Sequence, residues 1–105
     1  MLNNRNEKIQ EAIRTTAAEF LVREANPQSL ITVTQVVLSG DSKRANIYIT
    51  VLPESAENAA LGFANRNRRE LADFFRKRIR GAFPPHFEFL IDKGEKTRQR
   101  LDELS

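Results

Sequence analysis

Near the start of the chain, apolar residues recur every four positions, which is the spacing of one buried helix face. They are Ile9, Ile13, Ala17 and Leu21. We predict a helix from about residue 4 to residue 24. Asn26-Pro27 is expected to end it, because proline cannot extend a helix and restricts the residue before it.

The two segments that follow are rich in β-branched residues, which are typical of strands. We predict strands at residues 30–38 and 44–52, joined by the turn Ser39-Gly40-Asp41-Ser42. The second segment alternates apolar and polar residues, which indicates a sheet with one buried face. The two strands are expected to form an antiparallel hairpin.

The first strand changes the parity of its apolar positions part-way along. Ile31 and Val33 share one parity, whereas Val36 and Leu38 share the other. One extra residue near Thr34-Gln35 would place all four side chains on the same face. We therefore predict a β-bulge at that point.

The second half of the chain is predicted to contain a long helix and a third strand. The helical pattern runs from Glu54-Ser55 to about Arg80, and a strand follows at residues 86–91. Residues from about 93 onward form a charged tail, either a short helix or frayed chain. The prediction is an α+β fold of order α-β-β-α-β, with helices on one face of a three-stranded sheet. We expect one domain over residues 1–105.

Positive charge is concentrated in the long helix. Residues 66–80 hold seven basic and two acidic residues, a net charge of +5. The whole chain has 17 basic and 14 acidic residues. The residues outside 66–80 therefore include ten basic and twelve acidic residues, a net charge of −2. A basic stripe on an otherwise mixed surface is typical of nucleic-acid binding, although many helices simply carry solvated arginines.

A helical wheel separates most of this charge from the apolar face. Leu71, Phe74, Phe75 and Ile79 form an apolar stripe that is expected to face the sheet. The opposite face carries Arg66, Arg69, Arg76, Lys77 and Arg80.

Arg68 and Arg78 fall inside the apolar sector. Arg78 lies near the helix end, where its stem can cover apolar surface and its guanidinium can reach water. Arg68 has no such exit, and an unpaired buried charge is costly. We therefore predict that the helix is kinked between Ala64 and Glu70, which would expose a new helix N-terminus that can bind anions. The alternative is an unbroken helix from which Arg68 reaches solvent.

The sequence offers no catalytic constellation. It contains no cysteine, and His86 is its single histidine, which excludes disulfides and thiolate metal sites. No catalytic acid pair or glycine-rich phosphate loop is present. No apolar run is long enough to span a membrane, and the N-terminus has no apolar signal region. We expect a cytoplasmic protein without catalytic residues, metal or cofactor.

Two blocks of the sequence resemble the ribosome-binding factor A family. The first is LITVTQVVLSGDSKRANIYITVL, which carries the family's Thr-Val-Thr hairpin pattern with Ser39, Asp41 and Ala45. The second is FRKRIRGAFPPHFEFLIDKG, in which Pro85, Phe87, Phe89 and Asp92 match the family's ending. The resemblance covers nearly the whole chain and implies a type II KH-like domain.

The sequence departs from the family at one motif. The family has an Ala-x-Gly kink between two helices, but an ungapped alignment back from Pro85 places Asn67-Arg68-Arg69 there. The only Ala-x-Gly, Ala60-Leu61-Gly62, lies seven residues upstream. Because the kink predicted from Arg68 falls at the aligned position, we expect the kink to be retained with different residues.

The resemblance implies a non-catalytic assembly factor that binds the free small (30S) ribosomal subunit through 16S rRNA. It also implies roles in late processing of the rRNA 5′ end and in growth in the cold, and release by an assembly GTPase. We expect a monomer. The candidate RNA-binding residues are Arg66, Arg68, Arg69, Arg76, Lys77, Arg78 and Arg80. Arg5, Lys8, Lys43 and Arg44 are candidates for secondary contacts.

The residues alone support RNA binding and leave other functions open. The chain is alternatively a KH-type module acting on other RNAs. It is alternatively a protein-interaction adaptor that uses the open face of its sheet, where Tyr48 is expected to lie. An RNA-processing enzyme would need an acid-base or metal site, for which the sequence shows no candidate.

Overall fold

A computed structural model of the protein describes residues 4–24, 29–81 and 83–104. The side chains of residues 4, 5, 24 and 99–104 lie outside this description. The predicted stop at Asn26-Pro27 also lies outside the described residues, although the first helix ends just before it, at Glu24.

The predicted order of helices and strands is confirmed, with the long helix divided in two. The helices are α1 (Asn4–Glu24), α2 (Glu57–Arg66), α3 (Arg68–Arg78) and α4 (Lys93–Leu104). The strands are β1 (Leu30–Leu38), β2 (Arg44–Leu52) and β3 (His86–Ile91). A short 3-10 turn, Glu54–Ala56, leads into α2.

The strands form a mixed sheet in the order β1-β2-β3. β1 pairs with β2 as the predicted antiparallel hairpin, and β3 lies parallel to β2 on its other side. Alternate residues of β2 point toward the helices and are fully buried there: Ala45, Ile47, Ile49 and Val51. Helix α1 covers this face with Ile13, Ala17 and Leu21, and α3 covers it with Leu71 and Phe75. The apolar stripes predicted from the sequence therefore meet in one core.

The predicted β-bulge is present in β1. Val33 pairs with Ile49 and Gln35 pairs with Tyr48, so Thr34 is the extra residue. Val33, Val36 and Leu38 are consequently all buried on the same face.

The bulge connects the hairpin to the start of α4. The Thr34 hydroxyl donates a hydrogen bond of 2.6 Å to Asp92 Oδ2. Asp92 Oδ1 accepts a bond of 2.9 Å from the Glu95 N–H, which makes Asp92 the cap of α4. These two bonds, the Glu95 bond first, lower the pKa of Asp92. The charged tail is therefore a helix, and it starts at Lys93.

Loss of this cap is expected to destabilise the protein. Asp92→Ala should lower the free energy of unfolding at pH 7 by about 1–2 kcal/mol, as measured by urea denaturation. Because the pKa of Asp92 is lower in the folded state, its charge stabilises the fold above the unfolded pKa of about 3.9. That contribution disappears as the pH falls through the lowered folded value.

Two further variants separate the cap from general charge effects. Asp92→Asn retains a capping side chain but lacks the charge of the carboxylate. The difference in free energy of unfolding between this variant and the wild type should therefore shrink below about pH 4. Asp73→Ala removes an exposed aspartate and should change stability by less than about 0.5 kcal/mol. Equal losses for Asp92→Ala and Asp73→Ala would contradict the capping role.

At the free edge of β3, one asparagine side chain bonds to the strand backbone. Asn65, near the end of α2, accepts a 3.0 Å bond from the Phe89 N–H and donates a 3.3 Å bond to the Phe89 C=O. The amide thus pairs with the strand as a neighbouring strand would. This contact fixes α2 against β3 immediately before the helix is interrupted.

The C-terminal end of the long helical region differs from the prediction. Helix α3 ends at Arg78, and Ile79 is extended, with φ −124° and ψ 100°. Gly81 follows in the left-handed region, with φ 79°. The chain leaves the helix early because it must turn to enter β3, and glycine accepts this conformation without strain. Arg80 therefore lies beyond the helix rather than on its face.

Candidate nucleic-acid interface

The predicted helix interruption lies at Asn67, between α2 and α3. The Asn67 N–H is shared between the carbonyls of Phe63 and Ala64, at 3.2 Å each. Its side-chain amide donates a second bond of 2.8 Å to the Phe63 carbonyl. Its own carbonyl accepts the Leu71 N–H at 3.0 Å. Asn67 thus ends one helix and begins the next.

Asn67 needs no glycine for this role. Its φ of −102° and ψ of 19° lie in a region that is open to ordinary residues. The side-chain amide also gives the Phe63 carbonyl a second, shorter bond at a helix end, where the Asn67 N–H is shared between two carbonyls. The upstream Ala60-Leu61-Gly62 lies inside α2 and makes no break. The position of the predicted kink is therefore confirmed with a different residue type.

The interruption keeps the Arg68 guanidinium out of the core. Arg68 is the first residue of α3 and is half-buried, whereas Leu71 and Phe75 on the same helix are fully buried. Within the described residues Arg68 forms no ion pair. An arginine in this position is consistent with the cost of burying an unpaired charge.

The interruption also divides the basic segment into two groups. We call Arg66, Arg68 and Arg69 the kink cluster, and Arg76, Lys77, Arg78 and Arg80 the exit cluster. Arg69 and Arg76 lie seven residues apart, which is about 10 Å along α3. All these residues except Arg68 are exposed. The five cations that the wheel placed opposite the apolar stripe therefore lie on two helices and on the segment that follows α3.

Arg66 folds back along its own helix. A Cβ atom at Gly62 would lie 3.1 Å from an Arg66 guanidinium nitrogen. Gly62 therefore leaves the space in which this guanidinium lies. The arginine remains exposed and forms no ion pair with any described residue.

Two members of the exit cluster have partners within the protein. Arg76 forms an exposed ion pair of 2.8 Å with Asp73, one turn earlier on α3. Arg78 pairs with Glu19 of α1, and its guanidinium lies 4.8 Å from the centre of the Phe74 ring. The group that lies against apolar surface is therefore the guanidinium, whereas the prediction named the stem. Lys77 and Arg80 form no ion pair among the described residues.

The secondary candidates lie elsewhere on the protein. Lys8 is exposed on α1, and Lys43 and Arg44 are exposed where the hairpin turn enters β2. The Arg5 side chain lies outside the described residues. At the turn, Asp41 accepts bonds from the Ser39 hydroxyl (2.6 Å) and the Lys43 N–H (3.0 Å), which lower the pKa of Asp41.

The open face of the sheet carries a shallow groove of about 440 Å³. It is lined by Val37, Ser39, Arg44, Asn46, His86 and Glu88. His86 is exposed at the start of β3, and Tyr48 is half-buried on the same strand pair. No group of described residues could hold a metal ion, and no described helix is long and apolar enough to cross a membrane.

Sequence reasoning missed three residues that shape this region. Helix propensity marks Asn65 and Asn67 only as weak helix formers, yet both side chains bind backbone groups that position α2 and α3. Phe83 was not distinguished from the other phenylalanines, yet it is the most exposed large apolar residue in the described chain. Its place between Gly81 and Pro84-Pro85, outside every predicted element, was the available signal.

A comparison with family models decides the family. The model for ribosome-binding factor A matches residues 5–105 of this chain. The chain belongs to the ribosome-binding factor A family. The resemblance in the hairpin and in the C-terminal block is therefore confirmed, and with it the KH-like fold.

Family members of known sequence align along nearly the whole chain. Ribosome-binding factor A of Geobacter sulfurreducens is 32% identical and covers 96% of this chain and 88% of its own length. The protein of the same name from Natranaerobius thermophilus is 30% identical, and the alignment covers 99% of this chain and 82% of that protein.

Solved structures of the family share the fold. The crystal structure of ribosome-binding factor A from Thermus thermophilus matches with a TM-score of 0.72 and 28% identity, covering 82% of this chain and 94% of that one. A Thermus thermophilus homology model fitted into the cryo-electron-microscopy map of a 30S–RbfA complex matches with a TM-score of 0.68 and 29% identity. It covers 77% of this chain and 88% of that one.

Proposed function

We propose that this protein is a non-catalytic assembly factor that binds the free small ribosomal subunit through its 16S rRNA during maturation. The observation that carries the proposal is the similarity to a family member fitted into the map of a 30S complex. The family name describes binding rather than a reaction. The exposed arginines and lysine around α3 supply the chemistry that binding to rRNA needs.

The proposed mechanism is neutralisation of rRNA phosphates by cations that are already exposed. Arg66, Arg68, Arg69, Lys77 and Arg80 have no ionic partner among the described residues, so binding need not break an ion pair first. Arg76 can exchange Asp73 for a phosphate at little cost, because an exposed ion pair contributes only about 0–1 kcal/mol. Arg78 contacts RNA only if it leaves Glu19.

The kink cluster is the better-formed phosphate site. The first backbone N–H groups of a helix have no partner within that helix, and they attract anions. At α3 these groups belong to Arg68 and the residues directly after it, so the first turn of the helix carries two arginines beside its N-terminus. Glu70, which is exposed in the same turn, opposes this attraction in part. Shape rather than base sequence would then select the rRNA site.

Replacing Arg68 tests the functional meaning of the kink. Arg68→Ala is expected to weaken binding to small subunits about 3- to 10-fold, because one phosphate contact is lost from the kink cluster. Thermal unfolding should change little, since the guanidinium is not buried in the core. The affinity is measured by filter binding at fixed salt, with Arg14→Ala on α1 as a control. Unchanged affinity with raised stability would mean that Arg68 is only a tolerated misfit.

The finer proposals rest on the family resemblance. They are a role in late processing of the rRNA 5′ end, growth in the cold, release by an assembly GTPase, a cytoplasmic location and a monomeric state. The single KH-like domain over residues 1–105 is also a proposal.

Sedimentation of cell lysate through a sucrose gradient tests the proposed function. The protein should migrate with free small subunits and be absent from 70S ribosomes and polysomes. Magnesium depletion, which splits 70S ribosomes, provides the control for the position of the subunit. Recovery only at the top of the gradient would contradict ribosome binding and favour a KH-type module that acts on other RNAs.

A further inference from the structure

Phe83 is the most exposed aromatic residue among the described residues. Its side chain is 94% exposed. Phe20, Phe75, Phe87 and Phe89 are buried, and Phe63, Phe74 and Tyr48 are half-buried. Phe83 contributes nothing to the core, so its role must be sought at the surface.

The chain that follows Phe83 is held in place. Pro84 and Pro85 have restricted backbone angles, and Pro85 is buried. Directly after them, the His86 N–H donates a 2.8 Å bond to the carbonyl of Lys43. The aromatic ring is therefore carried beside a fixed point of the sheet, which reduces the entropy lost when a ligand is bound.

The surroundings of Phe83 are basic. Arg80 and His86 each lie three residues away, so their Cα atoms are within about 11 Å of that of Phe83. The backbone bond to His86 brings Lys43 to the same end of the sheet, and Arg44 pairs in register with His86. Arg80, Lys43 and Arg44 are exposed and form no ion pair with any described residue.

The acidic groups at this end only partly offset that charge. The Asp41 carboxylate is engaged by the Ser39 hydroxyl and the Lys43 N–H within the turn. Glu88 lies in the groove on the open face of the sheet. Three free cations at the end of the sheet that carries an exposed aromatic ring match a nucleotide, which offers phosphates and a flat base.

We propose that Phe83 stacks on an unpaired base of the bound RNA, while Arg80, Lys43 and Arg44 contact the phosphates on either side of it. This inference rests on the proposed RNA-binding function and adds the class of RNA feature that is recognised. A base inside a duplex is covered by its neighbours, so the site requires a nucleotide in a loop, a bulge or a single strand. A docked protein is less well matched, because the adjoining groove is lined mainly by polar side chains.

The test compares Phe83→Ala with the wild type in binding to purified small subunits at several salt concentrations. The affinity should fall about 5- to 150-fold, the usual effect of removing one stacked aromatic. The slope of log K against log salt should not change, because no charge is removed. Val22→Ala, which shortens an exposed apolar residue on α1, should bind as the wild type does.

A second variant reports on stacking directly. The chain contains no tryptophan, so Phe83→Trp introduces a single fluorophore at the proposed site. It should retain the affinity lost in Phe83→Ala, and its fluorescence should be quenched by single-stranded RNA more than by duplex RNA of equal length.

The outcomes separate this inference from the proposed function. Salt-dependent binding by the wild type with equal affinity for Phe83→Ala would overturn the stacking role alone. Unquenched tryptophan fluorescence in the bound state would do the same. Absence of RNA binding by the wild type would overturn both. Circular dichroism of each variant confirms that the fold is retained.

Discussion

Asn65→Ala is expected to lower the free energy of unfolding by about 2–3 kcal/mol. The substitution removes the amide that pairs with both the N–H and the C=O of Phe89. Each backbone group left without a partner costs about 1–3 kcal/mol, and the lower part of that range applies at a half-buried site. Equilibrium denaturation with urea at pH 7 gives the value, and the m-value should not change.

A matched substitution on the same helix isolates this contact. Asn58 is exposed on α2, so Asn58→Ala should be neutral or slightly stabilising because alanine favours helix formation. Asn65→Asp retains an acceptor for the Phe89 N–H but places a carboxylate against the Phe89 carbonyl, and it should be destabilising. Similar stability of the Asn58 and Asn65 alanine variants would show that the β3 edge does not depend on this side chain.

Reversing the charge of Arg69 and Lys77 together is expected to weaken binding to small subunits by roughly 100-fold or more at 0.1 M salt. Both residues are exposed on α3 and have no ion pair among the described residues, so their charge is available to phosphates. With about five phosphate contacts, the wild type should show a slope of log K against log salt of roughly −3.5 to −4.5. The double variant should reduce that slope by about 1.5–2.

The control for the double reversal is a variant of equal net charge. Arg14→Glu with Arg98→Glu reverses two exposed arginines on α1 and α4. Each double variant changes the net charge by −4, from +3 to −1. Similar losses of affinity in both would show that binding follows net charge rather than the surface of α3.

The features that were best predicted from the sequence are those that follow from the periodic spacing of apolar residues. The change of parity between Val33 and Val36 was enough to predict the bulge, because strand residues must alternate between faces. What the bulge does could not be predicted, since the Thr34 hydroxyl binds a carboxylate 58 residues further along the chain. Such a contact depends on the packing of β3 and α4, which no local pattern encodes.

The helix interruption was also predictable only in part. The cost of burying Arg68 predicted where the helix would break, but the residue that makes the break is Asn67, through a side-chain bond to the Phe63 carbonyl. Propensity alone marks asparagine as a weak helix former and does not distinguish Asn65 from Asn67. The two side chains have different roles because only Asn65 lies beside the edge of β3.

The arrangement of the candidate RNA-binding residues could not be predicted from the helical wheel. A helical wheel assumes one straight helix, so it placed Arg66 and Arg80 on a common face that the structure divides between α2 and a loop. The pairing of Arg78 with Glu19 arises only when α1 packs beside α3. Which cations remain free for a ligand is therefore a property of the tertiary structure.

Cross-linking of the protein to purified small subunits tests the central claim most directly. Ultraviolet irradiation of the complex, followed by proteolysis and mass spectrometry, identifies the protein segments that carry rRNA nucleotides. The account predicts nucleotides of 16S rRNA on segments from residues 66–83, with yields that fall for the variant carrying both Arg69→Glu and Lys77→Glu. Cross-links confined to α1 and α4, or to ribosomal proteins alone, would contradict it.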